Sequence, residues 1–422
     1  VTTKRFRYRL DQPRPAQAVA LAQLFGCCRV VFNDVLRARE DAHQAGLPFP
    51  TSGDLSKRLI TQAKLTPQRA WLNHASAVAL QQALADADRA YRNFFTSLSG
   101  KRKGPRVGKP RYKTKRDRRQ SARFTKNARF KLRQVNTRKA TLTLPGIGNL
   151  TVRYSRPVPS DPSSVTVIQE ADGALFASFV VDVPASTALP VVNRHAGVDM
   201  GLTDYAAVVA SDGTRTKIAN PRLLRTAERK LKKAQQNLSR KQKGSHNRAK
   251  ARTVVARAHR KVRDARLDHA HKTASTLIRE NQTISVEALN VRGLARSGAK
   301  GRRGRGIRKS VHDAGWSQFL RLLAEKADER GRIVTALNPA YSSQTCAVCG
   351  VLDGPKSLAI RQWQCQSCRT WLDRDYNAAT NMLVAAGHAE TKNACGQDVR
   401  LTLASASSAD LDETGTTHTA AA

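Results

Sequence analysis

Residues 365–383 read CQSCRTWLDRDYNAATNML: a paired-cysteine knuckle that runs directly into an acidic turn and then an alanine-rich stretch with helical spacing. A helix starting near Asp373 places Asp375 on one face with Ala378, Ala379, Met382, Leu383 and Ala386. Asp375 is then the one charge on the stripe that has to pack. An acid at a helix start more often answers the helix dipole. That role suits Asp373, an N-cap by residue type, better than the inward-facing Asp375. Upstream, Cys346 and Cys349 repeat the pair, giving Cys-x2-Cys, fifteen residues, Cys-x2-Cys. Two such knuckles present four thiolates around one tetrahedral ion, the pattern of a closed zinc site. A redox dithiol accounts for one pair but not for two. Four sulfurs leave no open coordination position, so zinc on Cys346, Cys349, Cys365 and Cys368 is expected to be structural. Gly350 follows the first pair, whereas Arg369 stands where a knuckle often needs glycine.

Two further acids lie on strand-like segments. In Gly197-Val198-Asp199-Met200-Gly201, alternation puts Val198 and Met200 on one face and Asp199 with both glycines on the other. Glycine beside a carboxylate lets a backbone or a phosphate approach closely. An acid merely solvated at a strand edge is the plain alternative. Glu287 ends the apolar run Ile284-Ser285-Val286 and by itself says little. Carboxylates on a strand, on another strand and on a packed helix can converge on two divalent cations such as Mg2+, which prefers hard oxygen ligands. An aspartate–glutamate–aspartate set in this order on a mixed sheet is the arrangement of ribonuclease-H-like, RuvC-like nucleases.

Composition narrows the partner. Among 422 residues, 74 Lys and Arg face 32 Asp and Glu, a formal charge of +42. So large an excess self-repels in a free protein, and a phosphate backbone bound over a long footprint is the expected compensation. No run approaches the ~20 apolar residues of a membrane span, and no apolar segment opens the chain as a secretory signal does. The expectation is no membrane and a bacterial or archaeal cytoplasm, near the nucleoid. Three of the seven cysteines, Cys27, Cys28 and Cys395, look incidental. Aromatics are only 5%, so charge outweighs base stacking.

Along the chain, residues 4–10 alternate as a short strand, and 14–100 turn helical through Val19, Leu21, Leu24 and Phe25, then Leu80, Leu84, Ala87 and Tyr91. Residues 100–133 are basic, broken by glycine and proline, and interleaved with Tyr112 and Phe124; a phosphate-tracking surface is expected there, a solvated linker being the alternative. Strand patterns follow at 139–153 and 163–183. Three strands are expected from residue 195, turning at Asp212-Gly213. Two basic helices span 222–281, broken at Gly244-Ser245. Residues 296–309 read as a disordered basic loop, 312–331 as an amphipathic helix through Trp316, Phe319, Leu320 and Leu323, and the tail after 388 as disordered.

Together GVDMGLTD, SVEALNVRGL, SSQTCAVCG and CQSCRTWLDRDYNAATNML closely resemble the TnpB or OrfB group of insertion-sequence proteins, related to compact type V CRISPR effectors. FGCCRVVFNDVL (25–36) and KGPRVGKPRYK (103–113) extend the resemblance to about residues 4–385. It implies an α/β fold with β-barrel and helical parts: a RuvC-like (ribonuclease-H-like) nuclease domain at 191–340 and 370–388 with an inserted zinc ribbon at 341–369. A wedge-like β-barrel at 1–13 and 120–190 would be interrupted by a helical recognition domain at 14–119, with a tail at 389–422. It also implies RNA-guided cleavage of double-stranded DNA, with a guide RNA from the element's own end and Mg2+ on the catalytic acids Asp199, Glu287 and Asp375. Asp373, Asn377 and Asn381 belong to the same motif without that role. The sequence leaves oligomeric state open, a monomer being one reading. Two other functions remain: a transposase using the same acids, and a catalytically silent RNA-guided DNA binder. His269-Ala270-His271 offers the paired-histidine motif of a tyrosine transposase only superficially, because residues two apart on a helix face different ways.

Overall fold

The computed structural model describes residues 2–115, 117, 119–184, 188–296, 301–357, 359–389, 391–392 and 398–399. They form two compact units, one within Val1–Ala185 and the other within Ser186–Ala409.

In the first unit, the alternating N-terminal segment is strand β1 (Thr2–Arg9). Proline then opens a 30-residue helix, α1 (Pro15–Gln44), where its missing N–H leaves no bond unmade. Helix α1 buries Leu21, Leu24, Phe25, Val31, Val35 and Leu36, while Val19 faces solvent. After the short α2 (Ser52–Ser56), helix α3 (Ala77–Leu98) buries the expected Leu80, Leu84, Ala87 and Tyr91 and packs on α1. By length and composition α1 could cross a membrane, contrary to the expectation that no segment approaches this. Half of its most apolar stretch is buried inside the protein, so those side chains serve the core of this unit.

Strands β2 (Gln120–Thr125), β3 (Lys131–Gln134), β4 (Lys139–Leu144), β5 (Gly148–Arg153), β6 (Ser164–Gln169) and β7 (Leu175–Val183) complete the unit. They form a four-stranded sheet of order β1-β7-β6-β2 and a three-stranded sheet of order β3-β4-β5. The basic segment 100–133 is therefore not uniformly open. Both β2 and β3 lie in it, and Phe124 is fully buried instead of being offered to a base. Tyr112 donates its hydroxyl to Glu40, and the Lys113 backbone is bonded in both directions to the Asn33 amide at 2.8 Å.

The second unit opens with β8 (His195–Met200), β9 (Asp204–Ala210) and β10 (Arg215–Ala219), turning at Asp212-Gly213 as expected. Helices α4 (Leu223–Ser239) and α5 (His246–Glu280) follow, with Ser245 capping α5 by accepting from the Arg248 N–H at 3.1 Å. Next come β11 (Thr283–Glu287), α6 (Val291–Arg296), α7 (Gly301–Ala314), α8 (Trp316–Arg330) and β12 (Ile333–Leu337). The short ribbon strands β13 (Gln362–Gln364) and β14 (Trp371–Asp373) lead into α9 (Arg374–Ala385). The main sheet has the order β10-β9-β8-β11-β12, with β8 to β10 antiparallel and β11 parallel to both β8 and β12.

Two expectations change here. Part of the supposed basic loop 296–309 is helix α7; residues 297–300 lie outside the described residues. Arg and Lys are good helix formers, and α7 has anchors: Lys309 pairs with Glu228, and buried Asp313 binds Arg266 at 2.7 Å and the Leu224 N–H at 2.9 Å. Gly315, at φ +67, then separates α7 from α8, so the amphipathic helix starts at Trp316. Of the tail, the described pieces pair as two-residue strands, β15 (Thr391–Lys392) and β16 (Asp398–Val399); Cys395 and 401–422 lie outside the described residues.

One face of β8 sends Ala196, Val198 and Met200 into a core with Ala270, Ala274 and Leu277 of α5 and Phe319 and Leu323 of α8. The other face receives α9. A Cβ on Gly197 would lie 2.0 Å from the Ala379 carbonyl oxygen and 2.9 Å from the Leu383 nitrogen, both backbone atoms. Neither can give way without moving the helix. Gly197→Ala should therefore destabilise this unit by about 3 kcal/mol, read as a lowered unfolding temperature; an unchanged transition contradicts the close approach.

Candidate active site

Strands β8 and β11 are in register through Val198↔Val286. The next residues along the two strands are Asp199 and Glu287, so parallel pairing projects both carboxylates from the same side of the sheet. That side is the one α9 covers. The His195 and His388 rings stack at 3.8 Å at one end of the contact, and Gly197 meets Ala379 and Leu383 in its middle. Helix α9 thus runs antiparallel to β8, and one turn before Ala379 it brings Asp375 toward Asp199. Asp199 and Asp375 are part-buried and Glu287 is buried.

The electrostatics record the convergence. Burial, then the neighbouring Glu287 and Asp375 charges, push the Asp199 carboxyl well above the usual carboxylate range, while Arg374 and Arg361 pull it down. Burial also raises Glu287, against a hydrogen bond donated by Ser342. Asp375 meets cations from two sides, Arg361 at 3.5 Å and Lys217 at 3.8 Å. Carboxylate oxygens from two strands and a helix are the hard donors that a divalent cation such as Mg2+ would take.

Asp373 is the N-cap of α9, as its residue type suggested: its side chain accepts from the Asp375 and Tyr376 N–H groups at 3.1 Å. It also pairs with Lys217 at 2.7 Å. Asn377 and Asn381, one turn apart and both buried, hold the loop before the first cysteine knuckle. Their amides donate to the Thr345 carbonyl at 2.7 and 2.8 Å, and the Ala347 N–H donates back to Asn377 at 2.8 Å. These asparagines were legible as motif members but not as a clamp. The available signal was two amides at i and i+4 interrupting an alanine-rich face. Lys217 and Arg361 carried no sequence signal, and Ser342 opens the SSQTCAVCG motif without a role read for it.

The sulfurs of Cys346, Cys349, Cys365 and Cys368 all lie within 4.8 Å of one another and could hold a metal ion. Burial opposes ionisation of Cys368, but hydrogen bonds from Thr370 and the neighbouring cysteines prevail and bring it to about 6. Arg369 adopts the left-handed conformation at φ +59, matching Gly350 at φ +75 after the first pair. The knuckle geometry therefore survives the arginine, at a cost of roughly 1–2 kcal/mol. His269 and His271 both sit on α5, and His269 meets the Tyr205 ring edge-on at 4.7 Å, a packing role. On α4, Arg229, Lys232, Lys233, Gln236, Asn237 and Arg240 form an exposed, basic stretch of helix surface.

A mixed sheet and helix that bring three acids together, a four-cysteine ribbon clamped to that helix, and a charge of +42 define a class of basic, nucleic-acid-acting proteins. The IS605 OrfB family, described as "Probable transposase", matches residues 178–298, its helix-turn-helix domain matches 2–47, and a Cas12f1-like TNB domain matches 316–382. Residues 2–47 fold here around one strand and one long helix, so that label does not describe their geometry. A Streptomyces pristinaespiralis protein named "Putative RNA-guided DNA endonuclease" is 36% identical over 399 residues, covering 94% of this chain and 91% of its own. An Escherichia coli K12 relative with the same description is 33% identical, covering 94% of each chain. The solved Cas12f1–sgRNA–target DNA complex shares the fold at a TM-score of 0.56 and 13% identity, over 87% of this chain and 82% of that one. The chain belongs to the TnpB-type OrfB family of IS605 elements.

The raised carboxyls have a consequence for stability. Folded Asp199 and Glu287 hold protons more tightly than the unfolded chain does. Without cations, their contribution is most favourable at low pH and is lost as pH rises from the ordinary carboxylate range, about 4, through their raised values. Asp199→Asn should therefore raise the unfolding temperature of the cation-free protein at pH 7, the gain fading toward pH 4. Equal thermal stability of the two proteins at pH 7 contradicts a buried repulsion.

Proposed function

We propose that this protein is an RNA-guided DNA endonuclease of an insertion sequence, with Asp199, Glu287 and Asp375 as its catalytic acids. The observation that carries the proposal is their convergence from two adjacent strands and the helix packed over them, in a chain whose relatives of matching length carry that name. The strand order, three antiparallel strands and then two parallel ones, supports a ribonuclease-H-like, RuvC-like reading of the second unit. The two sheets of the first unit, interrupted in sequence by α1 to α3, support the wedge-like barrel with a helical recognition insert.

Bound Mg2+ would polarise the scissile phosphate and activate water. The chain's own part is to gather hard oxygen donors. Asp199 and Glu287 ionise against burial and mutual repulsion, which a cation relieves. Asp375 is held on the first turn of α9 by the Asp373 cap and flanked by Lys217 and Arg361. The four thiolates would hold a structural zinc ion, whose binding would keep the ribbon folded against α9. A guide RNA from the element's end takes up much of the positive charge, with the exposed basic surface of α4 as one contact, and base pairing reads the double-stranded target in the cytoplasm.

The test supplies purified protein, Mg2+ and a matching duplex, with and without RNA from the element's own end. Cutting should require the RNA. Asp199→Ala and Asp375→Ala should lower cleavage on the order of a thousandfold or more while nucleic-acid binding survives. Asp373→Asn, which still caps the helix, should lose far less. Equally specific cutting by ribonuclease-treated protein favours the transposase reading, and equal losses at 373 and 375 contradict the assignment of Asp375.

A further inference from the structure

Ser342 lies in the loop between β12 and the first cysteine knuckle and is 4% exposed. Its hydroxyl donates to Glu287 Oε1 at 2.9 Å. Its carbonyl accepts from Asn381 Nδ2 at 2.7 Å and from Asn377 Nδ2 at 3.3 Å. The same two amides hold the Thr345 carbonyl next to Cys346. One residue therefore joins three parts of the site: the carboxylate at the end of β11, the helix that carries Asp375, and the loop entering the cysteine cluster.

We propose that Ser342 is a positioning residue for Glu287, orienting the carboxylate through its hydroxyl while its carbonyl ties that carboxylate to α9 and the first knuckle. This rests on the reading of Glu287 as a ligand for a divalent cation. Glu287 ends its strand on a three-torsion side chain, and a buried carboxylate left without a fixed donor has several rotamers to choose from. A donated hydrogen bond selects one of them. Groups of this kind, which orient a metal ligand without touching the metal, typically alter metal affinity ten- to a hundredfold when removed. The arrangement also couples the two metal centres. Folding of the knuckle sets the Ser342 carbonyl on the asparagine clamp, and the hydroxyl of the same residue then fixes Glu287.

Ser342→Ala separates this role from a purely structural one, because it deletes the hydroxyl bond to Glu287 and leaves the carbonyl bonds to both asparagines. In the RNA-bound protein, Mn2+ affinity measured by electron paramagnetic resonance should fall about tenfold or more. The Mg2+ concentration for half-maximal cleavage should rise by a similar factor, with high Mg2+ recovering the rate. Zinc content and unfolding temperature should stay near those of the unaltered protein, and Ser342→Thr, which keeps the hydroxyl, should recover metal affinity. Unchanged Mn2+ affinity and Mg2+ dependence in Ser342→Ala overturn the proposal. So does a loss accompanied by zinc release that excess Mg2+ does not repair, since that marks a structural anchor. An unaltered protein that neither binds Mn2+ nor cleaves DNA overturns instead the reading of the acids beneath it.

Discussion

The missing side chain at Gly197 is the constraint on which the second unit depends. It lets the backbone of α9 rest directly on β8, closer than any Cβ permits. With the helix at that depth and antiparallel to the strand, His388 reaches His195 and Asp375 reaches Asp199. The same placement aims Asn377 and Asn381 at the loop entering the cysteine cluster. A helix lifted by the height of one methyl group would separate the acids and loosen the clamp on the ribbon together. The fold thus makes a single close contact serve both the acid cluster and the four-cysteine cluster.

Electrostatics run against the packing at this point. Asp199 is pushed up by burial and by two neighbouring carboxylates, and Glu287 by burial. A site tuned only for stability would replace such acids with amides or apolar groups; stability given up at one place is a common mark of a working site. The partial answers, Lys217 and Arg361 beside Asp375 and Ser342 beside Glu287, hold the side chains in place without neutralising them all. Elsewhere the charge problem has the opposite sign. The Lys- and Arg-rich faces of α4 and α7 are anchored by buried Asp313 and by the exposed Glu228, and much basic surface is left to be matched by phosphate.

How much was legible in the sequence follows from how local each signal is. The four-cysteine cluster was, because its geometry is set by two short covalent spacings. The inward face of Asp375 and the capping role of Asp373 were, because helical periodicity and cap chemistry act within a few residues. Alternation placed Asp199 opposite Val198 and Met200 correctly, but its adjacency to Glu287 depends on pairing between strands more than eighty residues apart, which only the resemblance supplied. The asparagine clamp was illegible as a contact because its acceptors are loop carbonyls, which any residue type carries, and the Ser342 bond to Glu287 because it joins residues 55 apart in the chain. Glycine and charge in 296–309 masked a helix held by tertiary anchors, and Phe124 was taken for a surface aromatic because alternation in β2 was hidden among basic residues. Arg369 shows the same limit from the other side: a left-handed backbone suited to glycine is kept by the knuckle around it.

The proposed function requires Asp199, Glu287 and Asp375 to form one cation centre on the sheet beneath α9. The most direct measurement is an experimental structure of the RNA-bound protein with Mn2+, the ions located by their anomalous scattering. The account predicts Mn2+ ligated by all three carboxylates, apart from the metal held by the four cysteines. Mn2+ bound elsewhere, or at Asp375 with Asp199 and Glu287 turned away from it, would contradict the account.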